Sequence, residues 1–220
     1  MASEFRHACV IATVSATCET RYWPSVRLAG YDGTIAQPHR DNRPMPSKTA
    51  TLATIDPQLT PRPIEPGTRI GHVHLKVADL DRALAFYCGV LGFELKQRYG
   101  AQAAFISAGG YHHHIGLNTW ESKGGSPPAP GTTGLFHTAI LYPTRSALAD
   151  ALKRLMAAKI PLDGASDHGV SEALYLRDPD QNGVELYWDK PQEMWPLTAK
   201  GELAMVTERL DLKALLAAAG

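Results

Sequence analysis

The sequence predicts an α+β fold of two tandem βαβββ modules, with an extended or disordered leader over residues 1–66 and a C-terminal arm or helix over 191–220. Three observations predict it. The order strand, helix, three strands is legible twice, over 69–120 and again over 134–190, which marks an internal duplication. The two copies agree in register, because His72 stands seven residues before the helix cap Asp79 and His137 stands seven before the helix cap Thr144. Composition changes at both edges of residues 67–190, the leader being rich in Pro, Thr, Ser and Arg without a period of 2 or 3.6.

Within the leader, Pro57, Pro61, Pro63 and Pro66 break any approach to regular structure. Met45 is a second candidate start, which would make residues 1–44 an upstream extension. The mildly apolar run 8–16 follows Glu4 and lacks a small-residue cleavage site, so no signal peptide is predicted.

The first module opens with alternation over 70–77, a strand. Asp79 then caps a helix whose Leu80, Leu84 and Val90/Leu91 share one face and which Gly92 ends. Strands are predicted over 93–98, 103–107 and 112–119, with Gly100 and the Gly109-Gly110 pair as turns between them. A Gly- and Pro-rich loop, 121–133, leads to the second module. There the strand is 135–142, the helix 144–158, and the last three strands lie near 164–168, 171–177 and 183–188. Beyond it, Pro191 and Pro196 precede an amphipathic segment, 203–216, read as a helix over the domain.

Charge and cysteine content narrow the function. The 22 Lys+Arg balance 22 Asp+Glu, so no basic field is available to nucleic acid, and that partner is not expected. No apolar run approaches the roughly 18 residues of a membrane span. Cys9, Cys18 and Cys88 are scattered and odd in number, against both a disulfide framework and a zinc-thiolate site; a reducing cytoplasm fits.

Chemistry concentrates on His72, His137 and Glu185. The duplication sets the two histidines at equivalent strand positions, where pseudo-twofold pairing of the modules would bring them to one concave surface. A lone histidine at a strand start is more often an ordinary surface or core-edge residue; two at duplicated positions reverse that reading. Glu185 interrupts a strand otherwise built from Val, Leu, Tyr and Trp, and a carboxylate there needs a partner. Two neutral imidazoles and a carboxylate leave three open positions on an octahedral ion, which suits Fe(II) first and Mn(II) second.

The run His72-Val-His-Leu-Lys-Val-Ala-Asp-Leu-Asp-Arg-Ala-Leu-Ala-Phe-Tyr87 resembles the opening of vicinal oxygen chelate modules, and the resemblance covers about residues 69–190. His168, Leu174-Tyr175, Asp178-Pro179 and Glu185 are similar to the ordered pattern of the extradiol, catechol 2,3-dioxygenase-like ring-cleavage enzymes within the glyoxalase, bleomycin resistance and dioxygenase superfamily. One departure is Gln181, where that pattern has Gly or Pro, which puts the turn in question rather than the ligand. The resemblance implies an open-barrel site holding Fe(II), an aromatic diol and O2 as substrates, and pairing as a homodimer. It also implies catalytic roles for His114, His168 and Tyr175. His114 would be the general base, a role that suits an imidazole with an ordinary pKa of about 6.5. Tyr175 alone reads equally as a half-buried strand tyrosine; with His168 seven residues before it and Glu185 ten after it, the three form one pattern.

Alternation over a strand 112–119 would place His112 and His114 on one face and His113 on the other, leaving His113 solvated or in a supporting role. His74 would line the pocket or support a ligand. Two alternatives stand beside ring cleavage. A glyoxalase-type isomerase or lyase would need a further carboxylate within 111–120, where there is none; a thiol transferase with the same ligand set stays open. A drug-binding resistance protein would need no metal.

Overall fold

The computed structural model describes residues 62–220. The predicted leader, except for its last five residues, and the second candidate start at Met45 lie outside the described residues, as do Cys9 and Cys18.

The first module runs β1 (Val73–Lys76), α1 (Leu80–Leu84), β2 (Glu94–Tyr99), β3 (Ala103–Ser107) and β4 (Ile115–Asn118). Asp79 caps α1 by accepting a hydrogen bond from the Arg82 N–H at 2.9 Å, satisfying one of the free donors of the first turn. The helix then widens into a π-helical turn over Ala85–Val90, where the Leu91 N–H reaches back five residues to the Phe86 carbonyl. Its sheet has the order β1-β4-β3-β2, with β1 parallel to β4.

The second module repeats the plan as β5 (Thr138–Leu141), α2 (Arg145–Ala157), β6 (Gly164–Asp167), β7 (Ser171–Arg177) and β8 (Gly183–Asp189). Thr144 caps α2, accepting from the Ala147 N–H at 3.1 Å. Leu148, Leu152 and Leu155 recur at helical spacing and are buried against the sheet. The C-terminal arm contributes β9 (Glu208–Arg209), which pairs with β6 and extends the order to β5-β8-β7-β6-β9, and α3 (Leu212–Leu216).

In both modules alternate strand residues point inward to the helices. Leu75, Ile106, Ile115 and Leu117 do so in the first, Leu174, Leu176, Val184 and Leu186 in the second, and all belong to one apolar core with Leu215 of the arm. A buried polar joint ties the modules. Asp178 at the β7–β8 turn accepts from the Tyr87 hydroxyl at 3.1 Å, and Asp180 accepts from the Ala78 N–H at 3.0 Å and from Arg82. Burial first, and then the Asp178 charge, push the Tyr87 phenol well above its ordinary pKa, so it stays a donor.

Two predicted segments differ. The strand predicted over 112–119 begins only at Ile115, because the chain leaves the Gly109-Gly110 turn through bends and joins the ladder at His114. His114 donates from its N–H to the Ile106 carbonyl and accepts at its own carbonyl from Val73. The alternation expected of His112, His113 and His114 therefore does not apply. The helix predicted over 203–216 is confined to α3, because the residues before it are drawn into pairing with β6 and Asp211 caps the helix late. Among the described residues no helix is long and apolar enough to cross a membrane.

Candidate metal centre

His72 and His137 each stand one residue ahead of the first strand of their module, as the duplicated register predicts. Their surroundings differ. In the second module β5 runs parallel to β8 with Ala139 opposite Glu185. Two residues earlier His137 comes beside Gly183, where a Cβ would overlap the Phe136 carbonyl oxygen and lie 3.0 Å from the His137 Cα. Glycine is required there by close backbone approach. That approach brings His137 Nε2 to 2.9 Å from Glu185 Oε2, with Glu185 only 13% exposed. Two donors each roughly 2.1 Å from one ion and at right angles to each other stand about 3 Å apart, so the pair fits adjacent positions on a metal.

A line of hydrogen bonds runs outward from the carboxylate. Tyr175, opposite Glu185 on β7, donates its hydroxyl to Glu185 Oε1 at 3.1 Å. His168 Nε2 lies 2.7 Å from the same hydroxyl. The phenol has one hydrogen; given to Glu185, it leaves the Tyr175 oxygen to accept from His168 Nε2–H. His168 Nδ1 then accepts from the Thr207 hydroxyl at 3.3 Å, on the C-terminal arm. Burial, then the Glu185 charge and hydrogen bond, push the Tyr175 pKa up to about 12. The Gln181 departure is absorbed by backbone: Gln181 takes φ +66, while Asp178 Oδ1 accepts from the N–H groups of Asp180 and Asn182 at 2.8 and 2.9 Å to close the turn.

The first module has the same frame with other side chains. By strand register Gly116 occupies the place of Glu185, His74 that of Ala139 and Phe105 that of Tyr175. With no side chain on Gly116, the His74 imidazole occupies the space above it; a Cβ at 116 would lie 2.6 Å from its Cε1 and Nε2.

His72 and His137 face one cavity of about 670 Å³, together with His114 and apolar residues of both modules such as Val73, Phe93, Leu135 and Ile140. Glu185, Tyr175 and His168 are not among its walls. Nor does His72 complete a triad with His137 and Glu185. Among the described residues, the group whose donor atoms all lie within 4.8 Å of one another is His72, His74 and His113. Sequence reasoning missed the place of His113, because a strand was assumed where the chain bends. Burial, then the neighbouring imidazoles, lower the His113 pKa.

His114 is wired by its Nδ1, which lies 2.8 Å from Ser107 Oγ and accepts from the Ala108 N–H at 3.3 Å. A backbone N–H can only donate, so the neutral ring carries its proton on Nε2.

Fold and site together define a class: paired βαβββ modules whose first strands each bring a histidine to one cleft. Residues 69–186 match the Glyoxalase/Bleomycin resistance protein/Dioxygenase superfamily, and the chain belongs to it. A catechol-2,3-dioxygenase of Bacillus subtilis (strain 168) is 40% identical over 158 residues, 71% of this chain and 54% of that protein. Biphenyl-2,3-diol 1,2-dioxygenase 3 of Rhodococcus globerulus is 35% identical over 123 residues, covering 55% and 63% respectively. The chain thus spans between half and two thirds of the length of these relatives.

Proposed function

We propose that this chain is an extradiol dioxygenase that opens an aromatic vicinal diol with O2, its metal held by His72, His137 and Glu185. The observation that carries the reading is Gly116. The place that would supply a second carboxylate is occupied by a residue with no side chain, so the donor set stays at three and half of an octahedral shell remains for substrates. An isomerase that needs the extra carboxylate lacks it here. The His137–Glu185 pair, at 2.9 Å, argues against a metal-free binding module, which has no use for it. Two dioxygenases of aromatic diols among the relatives support the same choice.

Fe(II), held by these residues, would supply a redox-active Lewis acid able to bind the diol and O2 together; Mn(II) would serve as second choice. Both atoms of O2 enter the product, so no external reductant is consumed. The 2.9 Å approach of His137 to Glu185 supports their serving as two ligands, while His72 shares the cavity with His137 and must swing its exposed imidazole away from His74 and His113. Tyr175 holds Glu185 Oε1 and so fixes which carboxylate oxygen faces the metal. His168 steadies Tyr175 by donating from Nε2 to its oxygen. His114 is the acid–base group: with Nδ1 accepting from Ala108, its Nε2–H donates to a substrate oxygen, and to act as the base it must release the Ala108 N–H and carry its proton on Nδ1, toward Ser107 Oγ, which frees the Nε2 lone pair.

Anaerobic reconstitution with Fe(II), followed by a catechol and air, tests the proposal. Oxygen uptake with a yellow ring-fission product is expected. Bound iron without oxygen uptake across several catechols would refute it.

A further inference from the structure

We propose that His72, His74 and His113 form a second, all-nitrogen cation site on the first module, which takes Zn(II). The three imidazoles come from two segments that the parallel β1–β4 pairing sets side by side: His72 and His74 at and just before β1, on one face of the strand, and His113 from the bend before β4. One ring nitrogen from each lies within 4.8 Å of the other two. Three nitrogens at about 2.1 Å from a tetrahedral ion stand roughly 3.4 Å apart, so closure needs only small movements of two exposed side chains.

Two further observations point to a ligand. His113 Nε2 is buried and has no hydrogen-bond partner among the described residues, a cost that a cation removes. Its other nitrogen lies 2.7 Å from His112 Nδ1; a proton on His113 Nδ1 can be donated to His112, which leaves the Nε2 lone pair free, as in histidine ligands held from behind. Gly116 is the enabling residue, because only the absence of a Cβ lets the His74 ring sit over β4. The set holds no carboxylate, so it favours Zn(II) over Fe(II), Mn(II) or Mg(II), and a tetrahedral ion would keep one position for water.

His72 belongs to both donor sets. Zinc at the three histidines therefore withholds His72 from His137 and Glu185, and zinc would inhibit by capturing a ligand rather than by replacing iron. This last consequence rests on the ring-cleavage reading; the zinc site itself does not.

Zn(II) titration of the metal-free full chain against a chromogenic chelator tests the site. Glu185→Ala is expected to bind one equivalent of zinc with affinity within about threefold of wild type. His74→Ala and His113→Ala should each weaken binding by at least about tenfold. His113→Gln, which keeps a polar side chain at the bend, should lose the same affinity with an unchanged circular dichroism spectrum. Zinc lost from Glu185→Ala but kept by His113→Ala and His113→Gln would overturn the proposal, because the ion would then belong to His137 and Glu185. A chain that takes no oxygen with any catechol yet shows the expected zinc pattern would refute ring cleavage and leave this site standing.

Discussion

The two modules share a backbone and differ in what stands at three matched positions. Where the second module has Ala139, Glu185 and Tyr175, the first has His74, Gly116 and Phe105. In the second, a carboxylate fills the middle of the sheet and is held by a phenol; in the first, a glycine leaves a gap that an imidazole covers. The repeated frame holds two equivalent histidines, and the differing strand pair makes one side a donor of charge and the other a neutral wall. On the proposed reading the difference leaves three positions open on an octahedral ion, where a carboxylate on both sides would leave two.

The strongest break in this comparison is Glu185→Ala, which removes the sole carboxylate of the donor set. Iron retention and oxygen uptake should both fall to background, measured by metal analysis after desalting and by an oxygen electrode. The converse graft, Gly116→Glu, should displace His74, keep iron bound and still suppress oxygen uptake, because the new carboxylate would take a position that substrate needs. If Gly116→Glu turned over catechol as well as wild type, the role given to the empty position would be wrong.

Backbone approach offers the next contrast. A Cβ at Gly183 meets the Phe136 carbonyl oxygen, which is backbone rather than the end of a flexible side chain, so Gly183→Ala should cost about 3 kcal/mol or more and lower Tm by many degrees. A Cβ at Gly116 meets only the far end of the exposed His74 side chain, so Gly116→Ala should cost about 1 kcal/mol or less. Thermal melts of the two variants decide it; equal losses would show that the modules tolerate a side chain at this strand alike.

Much of the frame was readable because it is periodic. Asp79 and Thr144 cap where predicted, α2 keeps its Leu148, Leu152, Leu155 face, and the seven-residue spacing put His72 and His137 at matching strand entries. What escaped depended on contacts between distant segments. Glu185 follows His137 by 48 residues and Gly116 follows His72 by 44, so the correspondence between them is hidden until strand register is known. His113 was assigned to a strand by its neighbours' alternation, whereas the turn at Gly109 delays the strand. The hold of Thr207 on His168 is equally unreadable, because no local pattern says that β9 will pair with β6.

His114 tests whether acid–base work and metal binding are separate duties of the two modules. It lies on the first-module wall of the cavity and contacts Ser107 and Ala108 rather than the carboxylate line. His114→Ala should retain iron and slow turnover by about 10²-fold. Unchanged turnover would move the duty to His112 or to solvent, and lost iron would make His114 a support of the metal instead.

The smallest expected effect is also the most specific to the second module. The Tyr175 phenol is held protonated in the folded chain, its pKa pushed up to about 12 by burial and by Glu185, against about 10 for a tyrosine in an unfolded chain. A raised folded pKa means that the folded state keeps a proton the unfolded state loses. Stability from this group is therefore complete below about pH 10 and falls as pH rises from there to about 12. Tyr87, Tyr142 and Tyr187 are shifted in the same direction, so the wild-type slope is a sum over several phenols. The informative quantity is the difference between wild type and Tyr175→Phe in Tm measured from pH 8 to pH 12. It should be constant up to about pH 10 and shrink above it, because the variant has no phenol to ionise at 175. Phe105→Tyr, the matched change in the first module, should show no such protection, since Gly116 offers its hydroxyl no carboxylate. If both variants gave the same alkaline profile, Glu185 would not be what holds the Tyr175 proton, and the contrast between the modules would not reach as far as this pair.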